Sequence, residues 1–161
     1  MKIDARFEEL YESEFQTAVR AGFAVCGNHT LAADAAQEAF ARALQRWARL
    51  KDVESVVGWI VRTAVNHARR ERWLRARLGG LASESPRSED DLLLDERADI
   101  VAAIRSLPRR QREAIVLHYV ADLALDQAAN AMGCANGTVK AHLSRGRDAL
   151  RKRIGGTPNE W

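Results

Sequence analysis

The stretch from Leu125 to Ile154, LDQAANAMGCANGTVKAHLSRGRDALRKRI, limits the fold more than any other part of the chain. Val139, Leu143, Gly146 and Leu150 recur at helical spacing and form one small or apolar face, while Lys140, Ser144, Arg145, Asp148 and Arg151 fall on the other. A short scaffold helix from Asp126 to Met132 is expected to end at Gly133, with Cys134 and Ala135 in the turn. Asn136 or Gly137 then opens a second helix whose free N–H groups and positive end can meet phosphate. This is the layout of a helix-turn-helix, and double-stranded DNA is its expected ligand. An amphipathic surface helix with merely solvated charges has the same pattern, so the rest of the chain must decide.

Upstream, the same periodicity predicts helices. Phe7, Leu10, Tyr11, Phe15, Ala18 and Val19 place a first helix from Ala5 to about Val25, broken by Gly27, Asn28 and His29. A second runs from about Leu31 to Leu50, with Ala36, Phe40, Ala43 and Trp47 on its inner face. After a turn from Lys51 to Ser55, a third from Val56 to Leu78 turns Trp59, Ile60, Thr63 and Ala64 inward and becomes strongly basic through Arg69, Arg70, Arg72, Arg75 and Arg77. Residues 79–95 hold a Gly pair, Ser, Pro and acidic residues, the composition of a linker. Helices from Glu96 to Ser106 and from Arg109 to Val120 follow, with Pro108 at the restart. The expected fold is all-α: a three- or four-helix module over 5–78, an acidic flexible linker over 79–95 and a helix-turn-helix module over 96–155.

Net charge is only +3, but it is distributed in blocks. Residues 1–57 carry 7 Lys and Arg against 9 Asp and Glu, 58–82 carry 6 against 1, 83–104 carry 2 against 7, and 105–161 carry 10 against 5. Two basic patches flanking an acidic segment point to contact with a polyanion at two separate places. Cys26 and Cys134 lie far apart with no Cys-x-x-Cys spacing, which supports neither a disulfide framework nor a zinc site, and both are expected to be small buried hydrophobes. No window approaches a membrane span, and MKIDARFEELYESEF is too polar for a secretory signal, so a cytoplasmic protein without membrane insertion is expected. There are no paired carboxylates at metal spacing, no His-x-Glu motif and no phosphate loop, and His29, His67, His118 and His142 are scattered. An enzyme is therefore not expected, nor a metal or cofactor.

Three segments, in this order and spacing, carry a resemblance to a family: Asp34-Ala-Ala-Gln-Glu-Ala-Phe-Ala-Arg-Ala-Leu, Trp59-Ile-Val-Arg-Thr-Ala-Val-Asn66, and Leu107-Pro-Arg-Arg-Gln-Arg-Glu113 with the later Gly137-Thr-Val-Lys-Ala-His-Leu-Ser-Arg-Gly-Arg147. Over Phe7 to Ile154 the chain resembles the sigma-70 family of RNA polymerase initiation factors, in its small extracytoplasmic-function (ECF) form with only regions 2 and 4. The resemblance implies binding to core RNA polymerase, at the clamp coiled coil of its largest subunit and at its flap, with Asp34, Gln37, Glu38 and Arg42 facing the clamp. It implies reading and melting of the promoter −10 element by Asn66, Arg62, Arg69, Arg70, Arg72 and Trp73, the Asn66 amide suiting a base edge turned out of the stack. Recognition of the −35 element in duplex DNA would fall to Lys140, His142, Ser144 and Arg145, with Thr138, Arg147 and Arg112 on phosphate. The linker carboxylates Glu84, Glu89, Asp90, Asp91 and Asp95 would either thread a basic polymerase channel or serve as a solvated spacer. An anti-sigma protein is a further partner that the family suggests.

The chain departs from the family pattern in two places. Ala135 stands where Ser or Thr is common before the recognition helix, leaving capping to Asn136 or Thr138. Ala128 and Ala129 replace bulky aliphatics of the scaffold helix, which implies close packing or a marginal module. The alternative function is a dimeric helix-turn-helix regulator of an operator. That reading calls for an apolar self-association face, whereas the chain offers a second basic helix.

Overall fold

Asp4 starts the first helix, its carboxylate accepting from the Arg6 amide at 2.9 Å. This α1 spans Ala5–Cys26 and ends where Gly27 takes a left-handed φ of 66° and donates to the Phe23 carbonyl. Asn28 is at once the cap of α2 (His29–Gln45), accepting from Leu31 N at 3.0 Å, so His29 belongs to the helix rather than to the break. The computed structural model describes residues 2–79 and 98–155. The expected linker lies outside the described residues except for Gly79, and so do its five carboxylates.

The single helix expected from Leu31 to Leu50 is divided at Arg46 into α2 and a short α3 (Trp47–Leu50). The physical reason is Trp47: the step lets its indole N–H donate to Asp4 at 3.0 Å and its ring meet Phe7 edge-on at 5.3 Å. A basic helix α4 (Val56–Arg77) completes the front module, packing on both α1 and α2. Phe40 sits at its centre against Phe7, Tyr11 and Phe15. Around it Ala18, Ala21, Ala32, Ala35, Ala36, Ala39, Ala43, Ala64 and Ala68 are all buried, so the lean composition brings helix axes close together.

The rear module is built from α5 (Ala98–Ser106), α6 (Arg109–Ile115), α7 (Leu125–Met132) and α8 (Asn136–Ile154). The helix expected from Arg109 to Val120 is α-helical only to Ile115 and then widens into a π-helical turn, Val116–Val120. Widening keeps both Val116 and Leu117 in the core, and the chain leaves through Asp122 at φ 56°, with His118 Nδ1 bonded to the Leu123 carbonyl at 2.8 Å. The carboxylate of Glu113, 2% exposed, accepts from Arg109 Nε at 3.2 Å and Arg110 Nη1 at 3.0 Å. Arg110 also donates to the Met132 carbonyl at 3.0 Å, which ties α6 to the end of α7. Where α6 crosses α8, a Cβ on Gly146 would lie 2.8 Å from Ile115 Cγ1, so any side chain there must push Ile115 aside. Ala128 and Ala129 are buried, the close-packed alternative of the two expected.

The modules also pack on one another. α1 lies against α5 and the π turn, and α4 lies against α7. At that second contact Gly58 is buried, and a Cβ there would come within 3.1 Å of Ala131 Cβ. Cys26 is buried, as expected, whereas Cys134 is only half-buried because it occupies the exposed turn before α8.

Candidate nucleic-acid interface

The start of α8 carries no side-chain cap. Ala135 is the N-cap residue, and neither Asn136 nor Thr138 takes the role expected of it. Asn136 already lies inside the helix, and Thr138 uses its backbone N–H to reach the Ala135 carbonyl at 3.0 Å. A helix end left this way presents its first-turn N–H groups and positive dipole end outward. Behind it Thr138, Lys140, Ser144 and Arg145 are all exposed, while Val139, Leu143, Gly146 and Leu150 anchor the opposite face in the core. Lys140 and Ser144, then Ala141 and Arg145, stand one turn apart along the outer surface.

Two of the candidate residues on α8 differ from these. His142 is half-buried on the flank of the helix, with Nδ1 buried and unpartnered. Arg147 is half-buried too, and its Nη1 donates to the Tyr119 hydroxyl at 2.8 Å, so the π turn orients it. Arg112 is not on this face at all. Its Nη1 donates to the Arg105 carbonyl at 3.0 Å, and its Nε is buried without a partner. Burial pushes the Arg112 guanidinium below its ordinary value, and the nearby positive charge of Arg69 adds to the shift. Arg112 is thus held by a contact inside the rear module, from α6 to α5.

On α4, Asn66, Arg69, Arg70 and Trp73 line one cleft of about 410 Å³, joined by Arg109 from α6. Asn66 Oδ1, Arg69 Nε and Arg62 Nε are buried and unpartnered. Trp73 is 55% exposed, and the Arg77 guanidinium lies 4.8 Å from its ring centre. Arg72 does not line this cleft and donates to the Cys26 carbonyl at the end of α1. Arg109, which also lines the cleft, is not among the residues the sequence singles out. The sequence signal was Glu113 at four residues from Arg109 and three from Arg110, a spacing that predicts ion pairing on one helix face but not which cleft the guanidinium enters.

The remaining candidates share the outer face of α2. Asp34 and Gln37 are exposed, Glu38 is half-buried, and Arg42 pairs with Glu38 at 2.7 Å. Gln37 donates to the Tyr11 hydroxyl at 3.0 Å, which fixes part of this face to α1. An exposed pair such as Glu38–Arg42 contributes only about 0.3–0.5 kcal/mol to stability. Its charges therefore remain available to a partner at little cost to the fold. Among the described residues no helix is long and apolar enough to cross a membrane.

Comparison with known proteins covers most of the chain. The family profile Sigma-70 region 2 matches residues 10–77, and Sigma-70, region 4 matches residues 97–150. The RNA polymerase sigma-E factor of Streptomyces coelicolor is 27% identical over 152 residues, covering 92% of this chain and 85% of its own. The ECF RNA polymerase sigma-E factor of Escherichia coli K12 is 28% identical over 138 residues, covering 75% and 72%. Among solved structures, the sigma factor RpoE in complex with the anti-sigma factor NepR from Bartonella quintana superposes with a TM-score of 0.71 at 22% identity. That match covers 94% of this chain and 98% of the other, a likeness of fold.

Proposed function

The chain belongs to the ECF group of the sigma-70 family and directs promoter-specific transcription initiation, and from that premise we propose how its residues divide the work. Its partners are RNA polymerase and promoter DNA; the finer assignments are as follows. The α8 face of Thr138, Lys140, Ser144 and Arg145 enters the major groove of the −35 element. The single observation that supports this most is the uncapped N-terminus of α8, with these side chains exposed just behind it. Phosphate fits the first-turn N–H groups, and Arg145 suits a guanine edge, a bidentate contact worth about 1–3 kcal/mol of discrimination.

In the front module, Asn66, Arg69, Arg70 and Trp73 receive the unpaired strand at the −10 element. Asn66 offers its amide to a base, Trp73 a stacking plate, and the arginines neutralise phosphates. Asp34, Gln37, Glu38 and Arg42 form the face that docks on the polymerase clamp, where an acidic and amide surface complements a basic helix. The module boundaries follow 5–78 and 96–155, with the protein acting in the cytoplasm and an anti-sigma protein able to cover the polymerase-binding face. No catalytic group is assigned to this chain; the polymerase carries the chemistry.

The test is run-off transcription with purified core polymerase and a genomic promoter library. Transcripts should depend on the chain, Arg145→Ala should weaken promoter binding before strands open, and Asn66→Ala should leave binding largely intact while lowering strand opening. A chain that shifts DNA on its own and adds no transcripts points instead to the dimeric operator regulator. Equal loss of both steps in both variants removes the division of labour.

A further inference from the structure

The cleft of about 410 Å³ beside α4 is unusual in its ownership: Asn66, Arg69, Arg70 and Trp73 come from the front module and Arg109 from the rear. Guanidinium groups from both modules face the same space, with Arg112 just behind and its Nε buried without a partner. The carboxylate beside them, Glu113, has one oxygen on Arg109 and the other on Arg110. Like charges brought together across a packed interface repel, and an anion placed between them relieves the repulsion. Burial and the neighbouring Arg69 and Arg109 disfavour the charge on Arg112, in keeping with this crowding.

The geometry points to a binding site for a nucleoside polyphosphate, held by both modules at once. Arg69, Arg70 and Arg109 supply forked donors for phosphate oxygens, since a guanidinium binds phosphate in a bidentate manner. Trp73, more than half exposed, is the plate for a base. The volume lies within the range of about 300–1,000 Å³ usual for small-molecule sites.

Occupancy has a consequence for initiation, and this part rests on the promoter reading above. The −10 and −35 elements are about 25 base pairs apart, roughly 85 Å of duplex at 3.4 Å per step. A compact chain of this length has a radius of gyration of only about 15 Å. Modules packed as they are here cannot grip both elements. A ligand that bridges Arg109 to α4 therefore holds the chain in a form that cannot engage a promoter.

The same chemistry, phosphate plus base, also comes with single-stranded DNA, and the test separates the two sources. Equilibrium binding to the full chain is measured for ATP, GTP, inorganic triphosphate and a short single-stranded deoxyoligonucleotide. A nucleoside triphosphate should bind about tenfold or more tightly than inorganic triphosphate. Arg109→Gln should weaken nucleotide binding about fivefold or more and leave the single strand unaffected, because the strand uses α4 alone. Arg110 still pairs Glu113 in that variant, and Arg70→Ala, on the exposed side, should weaken both ligands without disturbing the core. Nucleotide binding no tighter than inorganic triphosphate, or unchanged in Arg109→Gln, overturns the site. A chain that binds the nucleotide in this pattern but not the single strand keeps the site and removes the strand reading of α4.

Discussion

Two basic helices of similar length, α4 and α8, are oriented in opposite senses. α8 rests its small apolar stripe on the core and turns Lys140, Ser144 and Arg145 to solvent from an uncapped start. α4 holds Asn66, Arg69 and Arg62 half-buried, with polar atoms shielded and unpartnered, and a cleft shared with Arg109 of the other module. A positive stripe in sequence is thus not by itself a docking surface; what matters is which element covers it. On the proposed reading, the rear helix meets duplex as it stands. On the proposed division of work, opening the contact of α4 with α6 and α7 uncovers the rest of this face to a single strand.

The largest expected effect tests whether that opening is energetically easy. Truncating Phe40, which touches Phe7, Tyr11 and Phe15, should cost the front module about 3–5 kcal/mol through lost transfer energy and a cavity. Hydrogen exchange resolved by segment is the measurement. In Phe40→Ala, protection should collapse in α1, α2 and α4 and persist in α6 and α8, because the rings that Phe40 touches all belong to the front module. Equal loss in all helices would mean that the modules form one cooperative unit, and the contrast between α4 and α8 would then have no energetic meaning.

Thiol labelling sharpens the same contrast at smaller magnitude. In a Cys134→Ser background, with Cys26 buried, Ser144→Cys should react as a free surface thiol and Asn66→Cys about tenfold or more slowly. Addition of core polymerase should accelerate the second and leave the first unchanged. Equal rates in the isolated chain would show that α4 is already open.

Smaller again is the effect of filling the α6–α8 crossing. Gly146→Ala places a Cβ 2.8 Å from Ile115 Cγ1, an overpacking cost of about 1–3 kcal/mol. Alanine in a helix interior recovers about 1 kcal/mol of that, so the net loss should be about 1 kcal/mol. It should be read in chemical denaturation as a lower midpoint. Pairing with Ile115→Ala should cost less than the two single changes added, since the second removes the atom that the first strikes.

Much of this fold was legible because helices announce themselves by period and punctuation. Gly27, Asn28 and Gly133 set boundaries through φ and capping chemistry that depend only on neighbours in sequence. The break at Arg46 was not legible, since it serves a bond between Trp47 and Asp4, 43 residues apart. The π turn was equally hidden, because what it accommodates is the burial of Val116 and Leu117 together. The same division runs through the candidate interface. The outward stripe of α8 follows from periodicity alone. The fates of Arg72, bonded to a carbonyl 46 residues away, and of Arg147, bonded to a hydroxyl 28 residues away, are decided by tertiary partners. Long arginine side chains are the residues whose sequence position says least about where their charge ends up.

The smallest effect concerns how one helix of each module begins, and it can be read by acid. Asp4 accepts from the Trp47 indole and from the Arg6 amide, and these bonds hold its carboxyl below the usual aspartate range. A depressed carboxylate stabilises the fold above its ordinary pKa, and that contribution is lost as pH falls through the lowered value. Below the usual aspartate range, then, the Trp47 indole should lose its acceptor and the start of α1 should fray. The indole N–H proton shift should follow a single titration there. In Asp4→Asn the step should vanish, because an amide oxygen still accepts but does not titrate. α8 follows Ala135 with no carboxylate at its cap, so its first turn should stay unchanged through the same window. A parallel change in α8 would mean that the signal reports unfolding of the whole chain rather than release of one front-module clasp.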